Sequence, residues 1–355
     1  MSTSASAAHR VRRGAAAIIG TFAALALLAG CASSSADGSS SPQTTQKSDA
    51  TLQLGWIANV ENMGPYVAED SGFYNQQGIN ISITAGGPST VVEPLVVSGK
   101  ALVGLDSVDV AARAILAGAP LKIVAATLQV NPTSIMSLAT HPINSLKEVV
   151  GKRLCVQTSG LSVIQAVLTA NGIDPKDVTM VPAEFDPSPL VTGQCDAFVS
   201  FLNNQPVTLA QQGVKTVSFP LSKFGYHIWA DCYVVSDATL ADKAKREDVV
   251  KIIRAGVQGW EKALKNTDAA AALMVNNYGK SQNPDLQQQE LAAKTYAPLM
   301  EAGDAKTNGL LTMSSDGIAQ NIATLKLLGI NISAKKLFDS TLLTDAYAGK
   351  TSIGY

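Results

Sequence analysis

From residue 51 onward the chain repeats one unit: a short apolar run of strand length, then a helix-length segment opened by glycine, proline or serine. Such alternation needs parallel strands joined by crossover helices, so it restricts the chain to an α/β fold. Residues 51–57 alternate and end apolar, as a strand entering a sheet should. Gly64-Pro65 marks a turn and a helix start, and that helix carries Tyr66, Val67, Phe73 and Tyr74 towards Gly78. Residues 79–83 form a second strand, and Gly86-Gly-Pro-Ser-Thr90 opens a second helix. Strands at 101–105, 121–126 and 134–140 and a helix at 107–116 extend the series. Open sheets of this kind bind ligands in the crevice outside the carboxyl ends of their strands.

His141-Pro142, followed by Ser145-Leu-Lys-Glu148, reads as a fresh start. There the alternation resumes: strands at 153–157, 178–181, 196–201 and 214–219, with helices opened by Thr158-Ser-Gly160 and covering 204–212. The β-rich run 226–235 returns the chain to its first half, so two crossovers make a hinge. Residues 246–265, 268–277, 285–302 and 314–328 all have apolar positions at helical spacing. The span 51–355 exceeds the size at which a single core stops growing, which favours two domains. The expected division is a first lobe of 51–138 with 236–355 and a second lobe of 139–235. A hydrophobic content of 46% with 15% charged residues suits two well-buried α/β lobes.

Residues 1–30 read as a targeting segment. Arg10, Arg12 and Arg13 precede an uncharged run from 14 to 29, which has signal-peptide length and is short of a membrane span. Leu28-Ala-Gly-Cys31 resembles a bacterial lipobox, which implies a lipidated Cys31 and a cell-membrane, extracytoplasmic location. The alternative is an ordinary secretory signal with a chance cysteine. Arg12-Arg13 lacks the residues that follow a twin-arginine pair, so Sec export is expected. Residues 31–50 are rich in Ser, Thr and Gln and read as a flexible tether. Without the three leader arginines, the 27 basic residues become 24 against 28 acidic ones. A basic patch with interleaved aromatics is missing, which argues against nucleic acid as a partner.

The run G-W-I-A-N-V-E-N-M-G-P-Y-V-A-E-D-S-G-F-Y-N-Q-Q-G-I-N-I from Gly55, a Gly-rich turn, and V-S-G-K-A-L-V-G-L-D-S-V-D ending at Asp109 resemble the solute-binding proteins of ABC importers for nitrate, sulfonates, taurine and thiamine-pyrimidine precursors. The resemblance covers nearly the whole chain after Ala50. It implies a two-lobed type II periplasmic-binding-protein fold hinged by two crossover strands. It further implies capture of a small nutrient, delivery to a permease with its ATPase subunits, action as a monomer, and no cofactor or chemical change to the solute. Phe201-Leu-Asn-Asn-Gln-Pro-Val207 is similar to the Asn-Glu-Pro segment of proteins that bind formylated aminopyrimidines. Asn204 and Pro206 match it, whereas Gln205 stands where glutamate is usual. Glutamine donates as well as accepts, so a different hydrogen-bonding pattern or a less charged ligand is expected. The loop 59–63 also lacks the histidine that many pyrimidine binders carry there.

Two ligand chemistries remain open. A hard anion would sit on helix N-termini, which Ser89-Thr90, Ser107 and Thr158-Ser159 supply. Only Arg113, Arg153, Arg246 and Arg254 follow the leader, which argues against a bidentate arginine clamp. A flat ring would instead stack on Trp56, Tyr66, Phe201 or Trp229, with Asn59, Asn62, Asn203, Asn204 and Gln205 at its edge. Core packing is the competing role for each aromatic. Asp106 and Asp109 suit acid–base work, but a helix cap with dipole pairing is the simpler role. The preferred solute is therefore a heterocyclic, pyrimidine-like or sulfonate-like nutrient.

Cys155, Cys195 and Cys232 lie too far apart in sequence for a zinc or redox motif. Buried thiols are the main expectation; a single disulfide leaving one free thiol is the alternative. His141 and His227 have no neighbouring nucleophile or second ligand, so both read as structural. A ligand sensor on the same fold is the second functional reading. A pyrimidine-related enzyme is the third, and the cysteine-rich iron-binding motif of the yeast-type pyrimidine synthase is absent from the sequence.

Overall fold

The computed structural model describes residues 47–355 except Pro88, together with every described side chain but that of Ser159. The segment read as a signal peptide, Cys31 and most of the expected 31–50 tether lie outside the described residues. Among the described residues ten strands occur in chain order: β1 (Ser48–Gln53), β2 (Ile79–Thr84), β3 (Val103–Asp106), β4 (Leu121–Leu128), β5 (Thr133–Leu138), β6 (Arg153–Val156), β7 (Thr179–Pro182), β8 (Ala197–Phe201), β9 (Thr216–Pro220) and β10 (Ala230–Ser236). They make two five-stranded sheets, ordered β2-β1-β3-β10-β4 and β7-β6-β8-β5-β9. The fold is α/β and two-lobed.

In the first sheet β1 runs parallel to β2 and β3, while β10 lies antiparallel between β3 and β4. In the second, β6 is parallel to β7 and β8, while β5 is antiparallel to β8 and β9. β4 is buried at every position but Lys122, as a strand covered on both faces should be. β1 begins at Ser48, so the last residues assigned to the tether are ordered strand.

Two lobe boundaries differ from the expected ones. Residues 133–138 pair in the second sheet, not the first, and the strand in the run 226–235 pairs in the first sheet, not the second. An apolar strand carries no label for its sheet. The punctuation that matters is Asn131-Pro132 before β5; His141-Pro142 is an exposed turn after it. Asn131 donates from Nδ2 to the Ile228 carbonyl at 2.8 Å and accepts from the Thr133 amide at 2.9 Å. One buried amide therefore ties together the two segments that pass between the sheets.

The first expected helix is broken into Met63–Asp70 and Phe73–Gln76, because Gly72 adopts φ +72° and ends the first turn series. Four C-terminal helices fall within a few residues of their expected positions: Lys243–Lys265, Thr267–Leu273, Leu286–Met300 and Ser315–Leu327. Each has its first turn capped by a side chain, from Asp242, Asn266, Asp285 and Ser314. Lys243–Lys265 packs on Met63–Asp70 so closely that a Cβ at Gly64 would lie 2.1 Å from the Trp260 ring. No helix among the described residues is long and apolar enough to cross a membrane.

Cys155 and Cys195 are disulfide-bonded, with Cα atoms 5.7 Å apart, and Cys232 is a buried free thiol. Buried thiols throughout was the main expectation, so this is a correction for Cys155 and Cys195. β6 and the approach to β8 bring them together across 40 residues, a proximity that spacing alone does not reveal.

Candidate functional site

The carboxyl ends of β1, β3, β4, β6 and β8 and the beginnings of the antiparallel β5 and β10 converge on one edge. The geometry leaves a cavity of about 390 Å³ there, lined from both lobes. The first lobe supplies Trp56, Glu61, Asp106, Ser107, Asp109, Asp231 and Tyr296. The second supplies Gln157, Phe185, Phe201, Asn204 and Gln205, and Asn131 and Tyr226 come from the crossings.

Trp56 follows β1, and its ring centroid is 5.1 Å from that of Phe185 in the second lobe, the planes tilted by 38°. The two rings make an apolar wall across the interlobe gap. Asp106 ends β3; one carboxylate oxygen accepts from the Ser107 amide at 2.7 Å, and the other is buried without a partner. The Ser107 hydroxyl donates to Asp109 at 2.9 Å. Asp231 adopts φ +53° inside β10, a left-handed conformation rare for a side-chain-bearing residue, and its carboxylate accepts from the Tyr296 hydroxyl at 2.7 Å. Glu61 accepts from Asn203 Nδ2 at 2.8 Å, a hydrogen bond between the lobes.

Among the described residues none of these carboxyls has an ion-pair partner, and at Asp106, Asp231 and Glu61 burial outweighs the hydrogen bonds they accept. It pushes Asp106 up to about 8, with the charge of Glu93 adding to it, and Asp231 up to about 7, with Glu61 adding to it. Burial raises Glu61 as well, against the pull of its hydrogen bond from Asn203.

Of the residues singled out in the sequence, Trp56, Asp106, Ser107, Asp109, Phe201, Asn204 and Gln205 line the cavity. Gln205 is already engaged: its side chain accepts from the Phe201 amide at 2.9 Å and donates to the Phe185 carbonyl at 3.4 Å, so it shapes the wall. Asn203 holds Glu61 from behind. Several others have structural work elsewhere. Asn59 caps a short 3-10 turn by accepting from the Glu61 amide, and Asn62 is buried and donates to the Ile57 carbonyl. Tyr66 is buried against Tyr278, 4.4 Å between centroids. Trp229 is buried edge-on to Phe338, beside Gly317. Ser89 and Thr90 cap nothing, because the following helix starts only at Glu93, after Val92. Thr158 is exposed on a 3-10 turn shared with Ser159, whose neighbours Gln157 and Gly160 reach the cavity.

Glu61, Gln157, Phe185, Asp231 and Tyr296 line the cavity without having been expected there. A signal existed for two of them: Asp231 is a lone carboxylate in an apolar β-run, and Glu61 interrupts an otherwise uncharged loop.

A family model described as NMT1/THI5 like matches residues 59–270. A 4-amino-5-hydroxymethyl-2-methylpyrimidine phosphate synthase of Legionella pneumophila is 29% identical over 181 residues, 48% of this chain and 55% of that protein's length. The formylaminopyrimidine-binding protein of Halalkalibacterium halodurans is 23% identical over 282 residues, 77% of this chain and 82% of that one. The solved structure of the periplasmic aliphatic sulphonate binding protein SsuA from Escherichia coli superposes with a TM-score of 0.63 at 13% identity, covering 82% of this chain and 92% of that one. At that identity the likeness is one of fold.

Proposed function

The chain belongs to the NMT1/THI5-like family, and from that premise we propose that it is the extracytoplasmic solute-binding component of an ABC importer. It captures one small nutrient between its lobes, as a monomer, and delivers it unchanged to a permease coupled to ATPase subunits. The observation that carries this reading is the cavity itself: it is lined from both lobes at the strand ends, where closing brings new contacts to a bound solute. Relatives named as binding proteins, for formylaminopyrimidine and for riboflavin, support capture over chemistry. A disulfide in the second lobe is in keeping with an oxidising compartment. Cys31, once lipidated, anchors the domain to the membrane surface.

Mass spectrometry of ligand released from the purified protein, with small-angle scattering before and after that ligand is restored, tests the reading. One released solute that compacts the protein is the expected result. Turnover of the solute to a product would replace capture with catalysis.

A further inference from the structure

The cavity holds more carboxyl groups than a neutral-ring binder requires, and among the described residues no basic side chain lines it with them. Glu61, the neighbouring Asp106 and Asp109, and Asp231 come from three segments of the chain and line the same space, which no Lys, Arg or His among the described residues lines. Every ion pair found among the described residues lies elsewhere. The partners of the four carboxylates are neutral: an amide, hydroxyls and the Asn203 side chain. One oxygen of Asp106 is buried with nothing to accept from. A buried carboxylate without a counter-charge is costly, and such an oxygen is satisfied when a donor arrives.

We propose that the solute this cleft selects is a flat ring bearing a cationic, N–H-rich group, with the ring against Trp56 and Phe185 and the charge among Asp106, Asp231 and Glu61. The proposal rests on the solute-capture reading above. Three considerations favour such an occupant. An amidinium or protonated aminoheterocycle presents several donors in a plane, which suits carboxylates arriving from several directions. Aromatic faces attract a cation and lose nothing by stacking on its ring. Once Asp106 and Asp231 are ionised, above about pH 8, a sulfonate or carboxylate would instead meet like charge with no basic side chain lining the cavity to receive it, a repulsion that grows as water leaves the closing cleft. A bare metal ion is a poor alternative, since no three of these groups converge on a point that suits one among the described residues.

The charge assignment also sets a pH dependence. Burial, with the acidic Glu93, Asp109 and Asp231 adding to it, holds Asp106 near 8, and burial, with Glu61 adding to it and the Tyr296 hydroxyl opposing, holds Asp231 near 7. Entry of a cation therefore expels protons, and its affinity rises as pH is raised through those values.

Three probes of like size and ring separate the possibilities: benzamidinium, neutral benzamide and anionic benzenesulfonate. Each is titrated into the mature, full-length protein by calorimetry at low salt and above pH 8, where Asp106 and Asp231 are ionised, with scattering on the same samples. The expected order is benzamidinium roughly tenfold or more tighter than benzamide, with benzenesulfonate showing no heat. Asp106→Asn, and independently Glu61→Gln as a second folded variant, should shrink the advantage of the cation over the amide. Benzamide or benzenesulfonate binding as tightly as the cation, with compaction, overturns the charge assignment and leaves solute capture standing. Neither heat nor compaction with any of the three overturns the assignment, and failure to compact with the co-purified solute as well removes the capture reading.

Discussion

Trp56 and Phe185 meet across the cleft from opposite lobes, so removing the indole takes away half of one cavity wall. Trp56→Ala should weaken a ring-shaped ligand by roughly tenfold, since stacking is worth about 0.5–1.5 kcal/mol beyond the buried area. Asn204→Ala should reduce affinity without lowering the melting temperature, because that side chain makes no cap bond. Calorimetry with melting controls checks both. Trp56 was legible because an indole at the end of an opening strand, followed by a polar loop, belongs at a sheet edge. Trp229 has the same look in sequence yet is core, because the helix Ser315–Leu327 approaches it at Gly317, a partner some ninety residues away in the chain. Asp106 predicts a stability slope. Its carboxyl holds a proton up to about 8 when folded and releases it near the ordinary 3.8 when unfolded. Between those values the folded state binds the extra proton, so stability falls as pH rises and levels off above the upper one. Asp231 acts in the same direction. Asp106→Asn should therefore flatten the fall in melting temperature between about pH 5 and pH 8 and stabilise the protein most at the upper end; an unchanged slope would show that the charge is relieved elsewhere.

Secondary-structure elements were legible to within a few residues wherever periodicity and caps agree, as in the four C-terminal helices with their Asp, Asn and Ser caps. Membership of a sheet was not. β5 and β10 carry apolar sequences that suit either lobe, and only long-range pairing assigns them. The same limit hid the Cys155–Cys195 bond, which joins β6 to the segment entering β8. Closing a loop of 40 residues restricts the unfolded chain by about 4 kcal/mol in the entropic account. Cys155→Ser with Cys195→Ser should lower the denaturant midpoint of the second lobe by a corresponding amount while leaving the first-lobe core intact. Equal midpoints in oxidised and reduced protein would count against that bond as a stabiliser. Gly64→Ala belongs to the same scale: a methyl driven into the Trp260 ring must separate Met63–Asp70 from Lys243–Lys265, with an expected loss of about 1–3 kcal/mol in a denaturation curve.

At the scale of the molecule, the contacts that bridge the lobes include the Glu61–Asn203 hydrogen bond, the Trp56–Phe185 ring pair, and the bond from Gln211 to Asp285 at 2.8 Å. Asn203→Ala leaves the Glu61 carboxylate without its donor on closure, a cost of about 1–3 kcal/mol. A larger radius of gyration at equal ligand concentration is the expected reading in solution scattering. Cys31→Ser should release the protein from the membrane fraction, or block its processing, with ligand affinity unchanged; a processed variant still on membranes would remove lipidation from the account. The position of β10 in its sheet has a further consequence, for biogenesis. All five strands of the second lobe are contiguous in sequence, so that lobe can form as soon as the nascent chain through β9 has emerged. The first lobe cannot, because the slot between β3 and β4 stays vacant until β10 has emerged. For that interval two bare strand edges and an unfilled core stand open, which makes the nascent first lobe the species in need of a chaperone and the slower of the two to gain amide protection.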